Sequence, residues 1–186
     1  MILMQEPSYA FNSVDVPSPT YRMWINKDGY RGMTVAELAR SINEATRAAF
    51  EQMQSNLLNI VINSHGLEGG GKISIGGKGL TGLDVSNVHQ FSFLKGHGAG
   101  TIWLVACQAA AGTGGKQLCQ ALAVASGYQV VASDDDQDTG YWGSWRLVAQ
   151  YFSHQIDEFE GTVYGFTASG TMRTIDPHDD IPTIKE

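Results

Sequence analysis

Two apolar runs of strand length constrain the fold of this chain more than any other feature. One covers residues 57–63 and is closely followed by His65 and Gly66, and the other covers residues 101–106 and is followed by Cys107. Both are rich in β-branched residues, which favour strands. If the two runs lie side by side in one parallel sheet, the histidine and the cysteine emerge at the same edge of that sheet. Neighbouring strands in a sheet are about 5 Å apart.

Strands and helices alternate along the rest of the chain. Thr34 and Glu37 predict a capping box before a helix whose buried face runs over Val35–Met53. A second helix is expected after Cys107 and ends at Gly127. Further strands are expected at 21–25, 72–75, 128–132 and 162–166, a short helix at 86–94 and a longer one at 141–154. The pattern predicts an α/β fold with a mostly parallel sheet that is covered on both faces, an α/β/α sandwich of three layers.

The length of 186 residues suits one well-cored domain. With 42% apolar and 17% charged residues, the composition is that of a globular protein. Residues 1–20 hold Pro7, Pro17 and Pro19 and show no periodicity, so they are expected to form an extended N-terminal arm. Residues 21–186 are expected to form a single domain.

Charge and cysteine content exclude several functions. The net charge is −7 and no basic run is present, so nucleic acid is not an expected partner. Two cysteines do not make a disulfide framework and match no zinc pattern. No signal peptide or membrane span is recognisable, so a cytoplasmic protein, or an effector exported without a cleavable signal, is expected. With this charge, the expected partner is a protein or a small molecule.

The residues at the predicted sheet edge suit acyl transfer. A cysteine attacks a carbonyl as the thiolate and needs a nearby base, which His65 supplies. The amino end of the helix after Cys107 favours the negative charge. The backbone amides of Gly66 and Cys107 are placed to hold the oxyanion, and a glycine leaves the substrate room to approach.

These residues resemble the caspase-like cysteine peptidases, the group that contains caspases, metacaspases, legumains, gingipains and self-processing toxin domains. The resemblance rests on an apolar strand ending in His65-Gly66 and a later one ending in Ala106-Cys107, and it covers residues 57–135. It implies that residues 21–186 form a single caspase-like catalytic domain, in which His65 is the general base and Cys107 the nucleophile of an endopeptidase. The expected partner is then a protein or peptide substrate, and the mechanism requires no cofactor or metal. Gln108 follows the cysteine here, whereas the caspase motif has glutamine before it, so aspartate specificity is not implied.

The acidic segment that follows residues 130–133 has two open interpretations. It is either a solvated loop or one wall of the pocket for the residue before the cut, with a carboxylate that selects Arg or Lys. The implied substrate-binding residues are Ser133, Asp134, Asp135 and Asp136. A calcium loop of the EF-hand type is excluded, because Thr139 and Trp145 stand where glycine and glutamate are needed.

Two other classes of function stay open. The domain is alternatively a catalytically inactive caspase-like module that binds a protein and keeps Cys107 for packing, or a small-molecule binder that uses the glycine-rich segment 66–82. A phosphate loop is not favoured, since Ala110 and Gln117 occupy the positions of its first glycine and its hydroxyl. Cys119 is expected to pack in the core, and the default for the remaining histidines is structural or exposed: His89, His97, His154 and His178.

Overall fold

The computed structural model describes residues 7–13, 21, 23–29, 32–76, 82–137 and 159–176. In these ranges the strands are β1 (Ser8–Asn12), β2 (Ile25–Asp28), β3 (Asn59–Asn63), β4 (Lys72–Ser74), β5 (Gly82–Asp84), β6 (Thr101–Val105), β7 (Gln129–Ser133), β8 (Val163–Phe166) and β9 (Met172–Thr174). The helices are α1 (Val35–Met53), a 3₁₀ helix (Val88–Leu94) and α2 (Gly112–Ser126).

Within the described residues, seven strands form one sheet in the order β2-β1-β3-β6-β7-β8-β9. From β2 to β7 in this order, neighbouring strands are parallel. β8 is antiparallel to β7, and β9 is antiparallel to β8. The predicted α/β fold with a mostly parallel sheet is therefore confirmed. β4 and β5 form a separate antiparallel pair, which agrees with the small hairpin strand expected at 72–75.

The two faces of the sheet are covered differently in the described part of the chain. Ile60 and Ile62 point into a large core that includes residues of α1, α2 and the 3₁₀ helix. Val61, between them, points to the opposite face and joins a smaller cluster with Trp103. Both described α-helices thus pack on one face. The helix predicted at 141–154 lies outside the described residues, so the third layer of the sandwich stays a prediction.

The capping box predicted at the start of α1 and the glycine predicted at the end of α2 are both confirmed. The Thr34 hydroxyl accepts the Glu37 N–H at 3.2 Å, and the Glu37 carboxylate accepts the Thr34 N–H at 2.8 Å. This reciprocal pair satisfies two amides that the first helical turn leaves without partners. At the other helix, Gly127 adopts a left-handed φ of 73° and donates to Ala123 at 2.9 Å. Glycine takes this conformation without steric cost, which ends α2 there.

The expected N-terminal arm is wrong for residues 8–12, because they form β1 inside the sheet. Tyr9 and Phe11 are fully buried, and Asn12 exchanges two hydrogen bonds with the main chain of Tyr21, at 3.0 and 3.1 Å. The strand is short and buried on both faces, even at its polar ends. It therefore lacks the alternation of apolar and polar residues by which a strand is recognised in sequence.

Two edge elements also differ from expectation. The strand expected at 21–25 runs over Ile25–Asp28 instead, so it takes in most of the turn expected at 26–29. Its side chains alternate between half-buried and exposed, and β2 is the terminal strand of the described sheet. β9 was not expected at all, because its three residues are all exposed and carry no apolar pattern.

Candidate active site

His65 and Cys107 follow neighbouring strands. β3 and β6 are parallel, and their last registered pair is Asn63 with Val105. His65 and Cys107 each lie two residues beyond that pair, so they occupy equivalent positions at the carboxyl edge of the sheet. Both residues are partly exposed. The strand adjacency that the two apolar runs predicted is thus present.

Gly66 lies against the main chain of Cys107. The space that a β-carbon at position 66 would need is filled by the carbonyl of Cys107. A glycine is therefore required by the contact between the two segments, whereas the sequence suggested that it makes room for substrate. This contact brings the backbone after His65 directly onto the backbone of Cys107.

The hairpin of β4 and β5 braces the histidine segment from its other side. Ser74 N–H donates to the His65 carbonyl at 2.9 Å, and Leu67 N–H donates to the Lys72 carbonyl at 3.1 Å. These bonds flank an antiparallel bridge between Gly66 and Ile73. The bridge itself leaves the Gly66 N–H unused, since both of its hydrogen bonds belong to the residues on either side.

Cys107 begins a tight turn that precedes α2. Ala109 N–H donates to Ala106 at 3.3 Å, and Ala111 N–H donates to Gln108 at 2.9 Å. The Cys107 N–H makes no main-chain hydrogen bond with any residue that the structure describes. Its thiol points toward the carbonyl of Gln137, at 3.9 Å. Because α2 starts only at Gly112, the amino end of the helix lies beyond this turn and not at the cysteine.

Cys119 behaves as the sequence predicted. Its side chain is fully buried on α2 and the thiol contacts the Ala109 carbonyl at 3.6 Å. Burial raises the pKa of the Cys119 thiol, because the interior disfavours the thiolate. The residue is a core side chain that supports the turn after Cys107.

The structure gives Ser133 and Asp134 internal partners. Ser133 is fully buried; its hydroxyl donates to the Glu160 carbonyl and accepts the Asp135 N–H at 3.1 Å. The prediction that Ser133 binds substrate is not supported by this position, since its side chain has no open surface. Asp134 accepts from Thr162 N–H at 2.8 Å and from the Tyr164 hydroxyl at 3.0 Å, so its two oxygens join β7 to β8.

Asp135 and Asp136 are exposed acids in the described part of the loop. The Asp135 carboxylate accepts the Asp136 N–H at 2.8 Å, and its carbonyl accepts the Gln108 N–H at 2.8 Å. The Asp136 carboxylate accepts a hydrogen bond from the Gln108 side chain at 3.1 Å. The carboxylate of Asp136 therefore lies beside the turn that carries Cys107, whereas that of Asp134 faces the neighbouring strand.

Gln108 is the residue of this region that sequence reasoning missed. Its side-chain carbonyl accepts the Gly69 N–H at 2.9 Å, while its amide nitrogen bonds Asp136. The segment after His65 and the acidic loop are thus connected through one side chain. A glutamine after the cysteine was visible in the sequence, but its partners lie on distant loops and leave no local pattern.

A separate cavity of about 550 Å³ lies between α2 and the β8–β9 strands. Its lining includes Lys116 and Phe166 but neither His65 nor Cys107. Lys116 also lies over the Tyr164 ring, 4.5 Å from its centre. The cavity is therefore not part of the His65–Cys107 edge.

The remaining histidines, for which a structural or exposed position is expected, are described only in part. His89 is exposed, with its Nδ1 3.1 Å from the Ser86 carbonyl, and His97 is partly exposed. His154 and His178, like Asp138 and the residues weighed for a calcium loop, lie outside the described ranges. The described residues contain no group of three or more side chains suited to holding a metal ion. None of the helices described has both the length and the apolar character to cross a bilayer.

The fold and the site together define an α/β protein with a mostly parallel sheet, in which a histidine and a cysteine follow adjacent strands at one edge. The chain belongs to the family described as a domain of unknown function, DUF4347, which matches residues 26–160. This range includes β3, β6, α2 and the acidic loop. No curated protein matches the chain.

Proposed function

We propose that this protein is a cysteine endopeptidase of the caspase-like type, in which Cys107 is the nucleophile and His65 the general base. The supporting observation is that the two residues occupy equivalent positions on neighbouring parallel strands, both partly exposed. A cysteine that served only for packing would resemble Cys119, which is fully buried. The same proposal implies a third, helical layer on the second face of the sheet.

The proposed reaction is acyl transfer in two steps. His65 takes the proton of the Cys107 thiol, the sulfur attacks the scissile carbonyl carbon, and the electron pair of the C=O bond moves to the oxygen. As the tetrahedral intermediate collapses, the C–N bond breaks and His65 gives its proton to the leaving amine. Water, deprotonated by His65, then attacks the thioester; the C–S bond breaks, the acid product leaves, and His65 returns the proton to the sulfur, which regenerates the thiol.

The oxyanion is held by two backbone amides in this proposal. The Gly66 N–H is not used by the bridge to Ile73, and the Cys107 N–H has no main-chain partner among the described residues. The contact between Gly66 and the Cys107 carbonyl keeps the two amides close to each other. Amides that are fixed before the reaction stabilise developing charge without reorganisation, which is the usual advantage of such a site.

Basic specificity is the second part of the proposal. Asp136, with Asp135 next to it, lies beside the turn of Cys107 and is exposed. A carboxylate in this place suits an Arg or Lys that precedes the scissile bond, since a guanidinium or ammonium pairs with it directly. Asp134 is not assigned this role, because both of its oxygens accept hydrogen bonds within the protein.

The decisive experiment compares Cys107→Ala with Cys119→Ala on a peptide library and on the protein's own chain. We expect cleavage by the native protein and by the Cys119 variant, if that variant folds, and none by the Cys107 variant. Circular dichroism establishes that each variant is folded. Cleavage that survives Cys107→Ala would overturn the assignment. A native protein that cleaves nothing, yet captures a peptide or protein reversibly, would favour the inactive binding module.

A further inference from the structure

Gln108 adopts a backbone conformation that is unusual for a residue with a side chain. Its φ is +52°, and among the described non-glycine residues only Gln54 shares the positive sign. Gln54 caps the carboxyl end of α1, where a left-handed residue is common. Gln108 caps no helix and directly follows Cys107, so its conformation needs support from contacts elsewhere.

Three hydrogen bonds to two loops provide this support. The Gln108 N–H donates to the Asp135 carbonyl at 2.8 Å, and the side-chain amide donates to the Asp136 carboxylate at 3.1 Å. The side-chain carbonyl accepts from Gly69 at 2.9 Å. One residue therefore joins the loop after His65 to the loop after β7.

The chemistry of the primary amide explains why glutamine suits this position. The side chain offers an acceptor toward Gly69 and donors toward Asp136 at the same time. A carboxylate of the same length would keep the first bond but repel the acid. A hydrocarbon of that length would lose both. The two partners, a backbone N–H and a carboxylate, thus call for one side chain that both donates and accepts.

We propose that Gln108 is a positioning residue that clamps the loop after His65 to the acidic loop after β7, across Cys107. The clamp fixes Asp136 for a basic substrate side chain. This inference rests on the proposed function for its substrate part. The clamp itself stands on the three hydrogen bonds and can be tested without any substrate. Gln108 acts through Asp136 and does not touch the reacting atoms.

The variants follow from the backbone geometry. Gln108→Gly removes the side chain and keeps the left-handed φ, which glycine adopts freely, so the fold should survive. Gln54→Gly is the matched control, because it makes the same change at the same conformation away from the site. Asp136→Ala removes the clamped carboxylate, and the double variant of residues 108 and 136 completes a thermodynamic cycle.

Two measurements on the full chain test the proposal separately. In hydrogen exchange, Gln108→Gly should speed exchange of the Gly69 amide and of the 134–137 segment, whereas Gln54→Gly should leave both unchanged. In kinetics, Gln108→Gly should lower kcat/KM for peptides with Arg or Lys before the cut by roughly tenfold, mainly through KM, with neutral peptides affected about twofold or less. In the Asp136→Ala background, Gln108→Gly should lower kcat/KM for these basic peptides by no more than a further factor of about two.

The outcomes separate the clamp from the proposed function. Unchanged exchange in Gln108→Gly would overturn the clamp whatever the enzyme does. Equal losses on basic and neutral peptides, or full additivity with Asp136→Ala, would overturn the specificity role and leave Gln108 as a structural residue. If the native protein cleaves no peptide, the proposed function and the substrate part of this inference fail together, and the exchange experiment alone decides the clamp.

Discussion

The carbonyl of Cys107 fills the space that a β-carbon on Gly66 would need. The two segments that carry His65 and Cys107 therefore meet main chain to main chain. Their relative position does not depend on the rotamers of long side chains. This makes the spacing between the two strand ends a rigid property of the fold, and it gives the glycine a role that can be tested.

Gly66→Ala should destabilise the protein and abolish the reactivity of the site. The added methyl group collides with backbone, which cannot move as a side chain can, so we expect a loss of about 2 kcal/mol or more in the free energy of unfolding. Urea denaturation measures this loss. Gly114→Ala is the control, because the nearest atom to its added carbon is 3.6 Å away, an ordinary contact. Equal stability of the two variants would contradict the contact.

The two thiols should differ sharply in the folded protein. Cys107 is partly exposed, whereas Cys119 is fully buried and burial raises the pKa of its thiol. Iodoacetamide at neutral pH should therefore modify Cys107 alone, and Cys119 should react only after unfolding. Mass spectrometry of peptides from the treated protein identifies the labelled cysteine. Labelling of Cys119 in the native state, or none at Cys107, would count against the site.

Substitution of Asp134 should affect mainly stability, and substitution of Asp136 mainly substrate specificity. Asp134→Ala removes the acceptor of Thr162 N–H and the Tyr164 hydroxyl, so we expect a stability loss of about 1–3 kcal/mol and an unchanged preference for basic peptides. Asp136→Ala should change stability little, because the residue is exposed, and should lower the preference for Arg and Lys. Thermal unfolding and a peptide panel that varies the residue before the cut check both. A preference for Leu, Asn or Asp would refute basic specificity.

Alkaline pH should weaken the fold through buried tyrosines. Burial raises the pKa of Tyr128 to about 12 from its ordinary 10.0, and the hydroxyl donates to the Leu57 carbonyl at 2.9 Å. Between these values the unfolded chain has lost the proton while the folded protein keeps it, so stability falls as the pH rises, by up to about 1.4 kcal/mol per pH unit. Burial likewise raises the pKa of Tyr9 to about 12, which adds a fall of the same sign.

Tyr128→Phe isolates the contribution of one group. We expect it to cost about 1 kcal/mol near neutral pH, because the buried Leu57 carbonyl loses its hydrogen bond. Above pH 10 its stability should decline less steeply than that of the native protein, since one ionisable group has been removed. Urea midpoints measured from pH 8 to pH 11 compare the two slopes, and parallel curves would contradict the assignment.

Local patterns account for the features that sequence predicted well. The capping box of Thr34 and Glu37, the glycine stop of α2 at Gly127 and the apolar runs of β3 and β6 each depend on residues close together in the chain. β1 escaped recognition because a short strand buried on both faces has no period. β9 escaped because it is exposed throughout. Its place in the sheet depends on its pairing with β8.

The sequence by itself determined that a histidine and a cysteine closely follow two strands, since β-branched apolar runs and flanking glycines are local signals. Only the tertiary structure decided which loop side chains face that edge. Ser133 is buried, Asp134 bonds to the neighbouring strand, and Gln108 joins two distant loops. The physical reason is that hydrogen bonds between loops depend on how remote segments meet in space, and no period or spacing along the chain encodes that meeting.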